Sequence, residues 1–520
     1  MSSARILGRN IVSNWVGFAV NAGVSLVLTP IVVNTLGETR YGVWMIAMGV
    51  TGSYGLLDIG FRSGVNQYLT RYLSSGDEEG LNASASSAFV GLTLIGLLAF
   101  AVSLAVGFFS DRIFEAPPEL SDELFAAIAL TGFSASLQLA TFPFSSMLMA
   151  MQRFDISNAI GIVAKLSSGV GIYLALRQGG GLVAISVVVA AANTLDYFAR
   201  CLFARRLAPQ LRVRPRLANW ASCREILSYG GWTFFGNAAV QIQLSVAPLL
   251  IGAFMPAAAV GRYALAANLS RQLDAVLNPA AQVFFPMAVR LHARNETAAL
   301  QRLLTSGTRF YSIASGLVVG TAFVFAEDFY RLWLGARYVE EPGFPSAALL
   351  FQILAVGQLA RRLGGIGSNV LMACRDVKPL AALGAADGLG VLVLSAAVIP
   401  PFGLTGVAAV SCFLGVVRGA AAALLSVRRT ELPLGRFLYA AYARFLAAFA
   451  CFLPLAILAE RLFDVDRLSE LALVGLAVIA CAAPLVAWLG LRQREKRALA
   501  ERLRERWRRF ARRHKSAPVS

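Results

Sequence analysis

Ala85–Phe109 reads ASSAFVGLTLIGLLAFAVSLAVGFF, twenty-five successive residues without a charged side chain. A bilayer hydrocarbon core of about 30 Å takes about twenty helical residues to cross. No water is present there to satisfy peptide groups, so such a run must be helical. Working outward from it, similar runs recur to both ends of the chain. Fourteen are read, at about 11–34, 41–61, 85–109, 124–150, 155–177, 181–204, 229–254, 258–288, 308–326, 345–372, 379–399, 404–427, 438–459 and 469–490. Over all 520 residues, 57% are apolar and 15% charged, with a mean hydropathy of +0.64. An average soluble domain carries roughly 25% charged residues. The composition excludes a soluble enzyme, a disordered chain and a disulfide-rich scaffold. A membrane barrel would instead alternate over segments of about ten residues. The fold class is therefore an all-α polytopic membrane protein with about 14 transmembrane helices. Pro30, Pro248 and Pro279 fall inside spans and mark expected kinks or irregular cavity walls.

The net charge of +18 would suggest nucleic acid in a soluble protein, but here it sets orientation. With the N-terminus cytoplasmic, 33 Lys or Arg fall in inside segments and 7 in outside segments. Both termini are then cytoplasmic in a multi-pass protein. Twelve of the inside charges lie in the tail from Leu491 to Lys515. There Leu499, Leu503, Trp507 and Phe510 recur at helical spacing, which predicts an amphipathic helix on the anionic inner leaflet. Membrane lipid, not nucleic acid, is the partner this implies. Arg5 and Arg9 precede an apolar run too long for a signal peptide and without a small-residue cleavage site.

Positions recur at an offset near 217 residues: Trp15 with Trp232, Pro30 with Pro248, Gly42 with Gly261, Asp58 with Asp274, Arg71 with Arg290 and Asp111 with Asp328. In each half, two spans are followed by a polar loop of about twenty residues and a third span. Six helices separate the halves, so both have one orientation, a parallel repeat. The expected organisation is an N-lobe over 1–210 with spans 1–6 and a cytoplasmic linker over 211–228. A C-lobe with spans 7–12 follows over 229–430, then spans 13–14 over 431–490 and the basic tail over 491–520. Two six-helix lobes around a cleft are the layout of an alternating-access transporter.

Lys165, Arg271, Arg361, Arg362 and Arg418 lie deepest within spans. Each costs about 2.5–3.5 kcal/mol at a helix centre. Acidic partners are fewer: Asp58, Asp196, Asp274 and Asp387. Arg271 and Asp274 are three apart and can pair, whereas Arg361 and Arg362 cannot both be neutralised by their own helix. These five cations are the candidate substrate-binding residues of a cationic cavity. Arg offers a planar fork to phosphate oxygens and Lys a point charge. Gln138, Asn193, Gln241, Gln243 and Asn268 could hydrogen-bond sugar hydroxyls. The bland alternative is that the charges pair and hold helices together, and that the amides are interhelical glue. Arg262 and Arg444, near span ends, read as snorkelling to the interface.

Catalytic motifs are missing. No Walker A sequence occurs, no outside loop exceeds about twenty residues, and the six cysteines form no CxxC. His292 and His514 lie outside the spans. The expectation is a non-enzyme without cofactor or metal. Proton or sodium coupling stays open, with Asp58, Asp274 and Asp387 as candidate carboxylates, each equally readable as a salt-bridge partner.

The run from Asn14 to Tyr72 carries a further pattern: Asn14-Trp15, Pro30, Leu36-Gly37, Tyr41-Gly42-Val43-Trp44, Gly55-Leu56-Leu57-Asp58-Ile59-Gly60 and Arg71-Tyr72. It resembles the N-terminus of the polysaccharide-transport family, the Wzx-type O-antigen flippases. The resemblance implies the MATE-like fold of the multidrug/oligosaccharidyl-lipid/polysaccharide exporter superfamily. It also implies an undecaprenyl-pyrophosphate-linked oligosaccharide flipped from the cytoplasmic to the periplasmic leaflet for surface polysaccharide biosynthesis. Glycosyltransferases or a polymerase of that pathway would be its neighbours. Rival readings are a drug or metabolite antiporter, a lipid II flippase, a membrane-integral glycan polymerase or ligase, and a structural membrane subunit. The antiporter reading calls for an acidic cavity, and the polymerase for a large periplasmic loop, neither of which the chain offers.

Overall fold

The computed structural model describes residues 3–56, 60–340 and 343–490. Among these, helices follow one another with no strand. Where described, each of the fourteen apolar runs lies mostly on helix. Among the described residues, by length and apolarity alone, seven helices can cross a membrane, or eight if Thr297–Val324 and Ala326–Leu334, bent by 58°, form one span. Two of the seven each hold two expected spans. Ser3–Gly52 breaks at Gly37, where φ is 83°, and Val377–Arg429 breaks at Gly403, where φ is 55°. Glycine meets these angles without the Cβ clash that other residues incur. Pro30 and Pro248, expected as kinks, lie inside continuous helices, while Pro279 sits one turn before an interruption at Val283.

The polar stretches expected as twenty-residue loops are largely helical. Phe61–Ser75 and Phe284–Ala293 are helices, and the next helices start at Glu78 and Thr297. Hydropathy reports what a helix faces, not where it ends, and a polar helix can continue past the hydrocarbon. The turns that follow are tight. Each ends in the paired hydrogen bonds of a left-handed helix cap, such as Arg153 N to Leu148 O and Gln152 N to Met149 O. Gly76 and Asn295, and likewise Gln152 and Arg375, take this conformation at corresponding points of the two halves, and Glu431 adopts it again.

The chain forms two compact units. The first comprises Met1–Asn268, Glu340–Leu350 and Ala381–Ser411. In it Glu78–Phe108 packs along Ser121–Ala150, which also packs against Leu182–Leu207. Gly42 and Gly261, matched by the repeat, meet at a helix crossing. A Cβ on Gly42 would lie 1.7 Å from the Ala257 carbonyl oxygen, so the backbones touch there. Beside the crossing, Arg262 is buried and paired with Glu38 at 2.7 Å. This corrects the snorkelling expectation: the side chain finds its counter-ion on a neighbouring helix. The segment Ala208–Asn219 is strapped to the start of Glu78–Phe108. Asn82 accepts from Arg212 N at 2.6 Å, and Ser87 both accepts from Asn219 N and donates to Asn219 O.

The second unit comprises Leu269–Val339, Phe351–Leu380 and Cys412–Ser520. One apolar cluster joins Leu304, Tyr311, Ile366, Val370, Val427 and Phe437, and a second joins Phe325, Phe452, Ala456, Val478 and Ala482. Arg309 is fully buried and donates to the Ala440 carbonyl at 3.0 Å, within a π-helical turn at Tyr439–Ala443. The expected amphipathic tail over 491–520 lies outside the described residues.

Candidate functional site

The first unit contains an open cavity of about 570 Å³. Four helical stretches each turn one face to it. Residues 3–36 supply Asn21, Ser25, Leu28, Thr29 and Val32. Residues 38–52 supply Tyr41, Trp44, Met45 and Met48. Phe154–Arg177 supplies Gly161, Ala164, Lys165, Ser168 and Ile172, and Leu182–Leu207 supplies Ile185, Val189, Asn193, Asp196, Tyr197 and Arg200. The spacings are those of single helix faces. Gln138 and Asn268 complete the wall. A second cavity of about 310 Å³ adjoins it, adding Asn14, Ser157 and Asn158. Asn21, Gly161, Lys165 and Arg200 line both.

The charges of this site divide into held and unheld. Arg200 donates from Nε to Asp196 Oδ2 at 2.7 Å and from Nη2 to Asp196 Oδ1 at 3.0 Å. Its Nη1 donates to Ser157 Oγ at 2.6 Å. Arg62 reaches Gln138 at 3.5 Å and stacks over Phe142 at 5.3 Å. Lys165 has neither an ion pair nor a hydrogen bond among the described residues. An ammonium in a partly desolvated cavity calls for an anion; among the described residues the carboxylate in this lining, Asp196, is taken by Arg200 and none pairs with Lys165. Around it stand carboxamides, hydroxyls and the rings of Tyr41, Trp44 and Tyr197. Such a lining matches a polar, hydroxylated ligand bearing negative charge.

Sequence-predicted residues distribute as follows. Lys165, Gln138, Asn193 and Asn268 come together in this cavity. Gln241 instead donates to Gly52 O and to Ser245 Oγ, and the side chain of Gln243 lies outside the described residues, as does Asp58. Asp387 is buried in the first unit and does not line the cavity. In the second unit, Arg362 is buried and pairs with Asp274, which also accepts from Gln358 Nε2 at 2.7 Å. The cation reaching Asp274 from another helix is thus Arg362. Arg361, Arg362 and Arg418 flank one close helix crossing, where a Cβ on Gly419 would lie 2.2 Å from the Ala360 carbonyl oxygen. Arg271 is exposed.

The sequence reading missed Asn21, Ser25, Trp44 and Arg200. The signal was present for the first two, since Asn14, Asn21 and Ser25 form a polar stripe along an otherwise apolar helix. Arg200 was counted with the cytoplasmic arginines although it falls inside the apolar run read as 181–204; the helix Leu182–Leu207 carries it to the cavity wall.

A helical, multi-pass membrane protein with a polar cavity inside one unit is the class that these observations define. Its fold is that of known exporters. An inward-closed structure of the lipid II flippase MurJ superposes with a TM-score of 0.68 at 14% identity, covering 90% of this chain and 98% of that one. An inward-facing multidrug resistance MATE transporter of the MOP superfamily gives 0.64 at 13% identity, covering 80% and 98%. More particularly, residues 7–292 match the family model described as polysaccharide biosynthesis protein, and the chain belongs to that family. A curated relative, the uncharacterized membrane protein EpsK of Bacillus subtilis (strain 168), is 22% identical over 330 residues, or 63% of this chain. The match spans 65% of the length of that relative.

Proposed function

We propose that the chain flips an undecaprenyl-pyrophosphate-linked oligosaccharide from the cytoplasmic to the periplasmic leaflet of the bacterial inner membrane. The observation that carries this reading is Lys165, a cation without a partner among the described residues, in a cavity whose polar lining is amides, hydroxyls and aromatic rings. A glycan attached to pyrophosphate combines the two chemistries that such a lining offers, hydroxyls for the amides and negative charge for the ammonium. The polysaccharide-biosynthesis family and the exporter fold support it. The lipid tail would stay in the bilayer while the head group crosses. An anion moving outward against an inside-negative potential gains about 2.3 kcal/mol per charge per 100 mV, so export needs no ATP site in this chain. Membrane lipid and the enzymes that build or polymerise the glycan are the partners in this reading, and both termini face the cytoplasm. The chain acts as a transporter and not as a catalyst.

The two six-helix lobes expected at 1–210 and 229–430, with 431–490 appended, would supply the alternating-access change. In this reading the held Asp274 acts as a salt-bridge partner to Arg362, which leaves Asp387 and Asp58 as the carboxylates for any proton or sodium coupling. Arg271, Arg361 and Arg418 are assigned to the substrate path, with Lys165 as its principal anchor. The test is replacement of Lys165 by Gln in a strain whose surface glycan depends on this protein. Lost surface glycan at normal protein level, with lipid-linked intermediates held on the cytoplasmic face, is the expected result. Unchanged glycan would refute the assignment.

A further inference from the structure

Lys165 and Arg200 both line the shared wall of the two cavities, but they are not equivalent. Lys165 brings three unclaimed N–H groups. Arg200 brings five, and four contacts hold it: two to Asp196, one to Ser157 Oγ and one to the Ser157 carbonyl at 3.3 Å. The fork of Nε and Nη2, the edge of a guanidinium that matches a carboxylate or a phosphate, is taken by Asp196. The pair is only partly buried, with side-chain exposures of 18% and 12%. Asp196 sits one turn before Arg200 on the same helix and lines the larger cavity as well. Gly161, opposite, presents no side chain; a Cβ there would lie 3.4 Å from Arg200 Nη2. Gly161 thus lets the guanidinium pack close to the facing helix, while Arg200 still lines both cavities.

We propose that Asp196 is an internal stand-in for an anionic ligand, and that a phosphate group seated on Lys165 takes the Arg200 fork from it. This inference rests on the anion-binding reading above and adds to it a second phosphate ligand, stored in a carboxylate latch. An empty cavity is then less positive than its lysine and arginine imply, because one carboxylate already occupies the better donor. A phosphate oxygen approaching Lys165 competes with Asp196 for two N–H groups in one plane. A single-atom anion such as chloride offers one acceptor to both N–H groups, whereas two oxygens of a tetrahedral phosphate meet one N–H each, so the fork favours phosphate over small anions. Ser157 keeps Arg200 in place during the exchange, from the first turns of the facing helix.

The experiment uses the full chain in detergent or nanodiscs, with inorganic pyrophosphate as the probe, and reads affinity by calorimetry. Asp196→Asn removes the competing charge and is expected to tighten pyrophosphate binding by about fivefold or more. The gain should vanish in the double variant Asp196→Asn with Arg200→Gln. Lys165→Gln should weaken binding in every background. Ser157→Ala loosens the same arginine without removing a charge and serves if the Asp196 variant fails to fold; it too should change pyrophosphate affinity, and not chloride affinity. If Asp196→Asn, or Ser157→Ala in its place, leaves pyrophosphate affinity unchanged while Lys165→Gln weakens it, the latch is wrong and the anion seat stands. If pyrophosphate fails to bind the wild-type chain and Lys165→Gln changes nothing, the anion-binding reading fails and the latch with it.

Discussion

Three basic side chains, Arg262, Lys165 and Arg200, show how differently a bilayer protein can treat the same charge. Arg262 is buried against Glu38 and serves structure. Arg200 is held by Asp196 and Ser157 at the cavity wall. Lys165 is unheld. Removing one partner of a buried pair leaves the other uncompensated, which costs about 3–5 kcal/mol. Arg262→Ala is therefore expected to lower the thermal midpoint of the purified protein sharply, and Glu38→Gln combined with Arg262→Met to restore much of it. Lys165→Gln is expected to leave the thermal midpoint close to wild type. Its effect falls on ligand: losing one charge-assisted contact amounts to about 1.5–3 kcal/mol, roughly tenfold to a hundredfold in affinity. Sequence reading singled out Lys165 by charge and depth, and the side chain lines the cavity. It could not separate Lys165 from Arg362, because the counter-ion of Arg362 comes from a helix about ninety residues away. Partners distant in sequence are invisible to spacing rules.

At the scale of single elements, close contact and turn chemistry govern the fold. Gly42 admits no side chain, since its Cβ would lie 1.7 Å from a neighbouring carbonyl oxygen. Gly42→Ala is expected to abolish accumulation of the protein in the membrane, and normal accumulation would show that the crossing can part. The repeat had already matched Gly42 with Gly261, but only the structure shows that the matched glycines touch. Glu431 closes its helix at a φ of 54°, a conformation that costs an L-residue about 1 kcal/mol and glycine far less. Glu431→Gly is expected to hold or raise the thermal midpoint, and a fall of several degrees would mean that its side chain matters more than its backbone. Helix existence was legible in apolar run length, as Ala85–Phe109 illustrates. Helix ends were not, because Phe61–Ser75 and residues 205–207 are helical yet polar or charged. Hydropathy marks the hydrocarbon, while hydrogen bonding and caps mark the helix.

For the whole molecule, the excess of basic residues on one side makes a claim about topology. Arg216 and Asp464 are both exposed and fall on opposite sides in this reading. In a cysteine-free background, Arg216→Cys is expected to react with an impermeant thiol reagent only from the cytoplasmic side, and Asp464→Cys only from outside. The reverse pattern would invert the proposed direction of transport. The family match over residues 7–292 covers the cavity helices, so the polysaccharide link and the cavity chemistry concern the same part of the chain. The central claim is that this cavity carries a pyrophosphate-linked glycan across the membrane through Lys165. Its most direct test is a translocation assay in proteoliposomes holding the purified chain and a polyprenyl-pyrophosphate oligosaccharide in one leaflet, scored by enzymatic access to the glycan from the other side. The account predicts transfer with the wild-type chain, and transfer near the protein-free rate with Lys165→Gln at equal protein content. Equal transfer by both proteins, or none by the wild type, would contradict it.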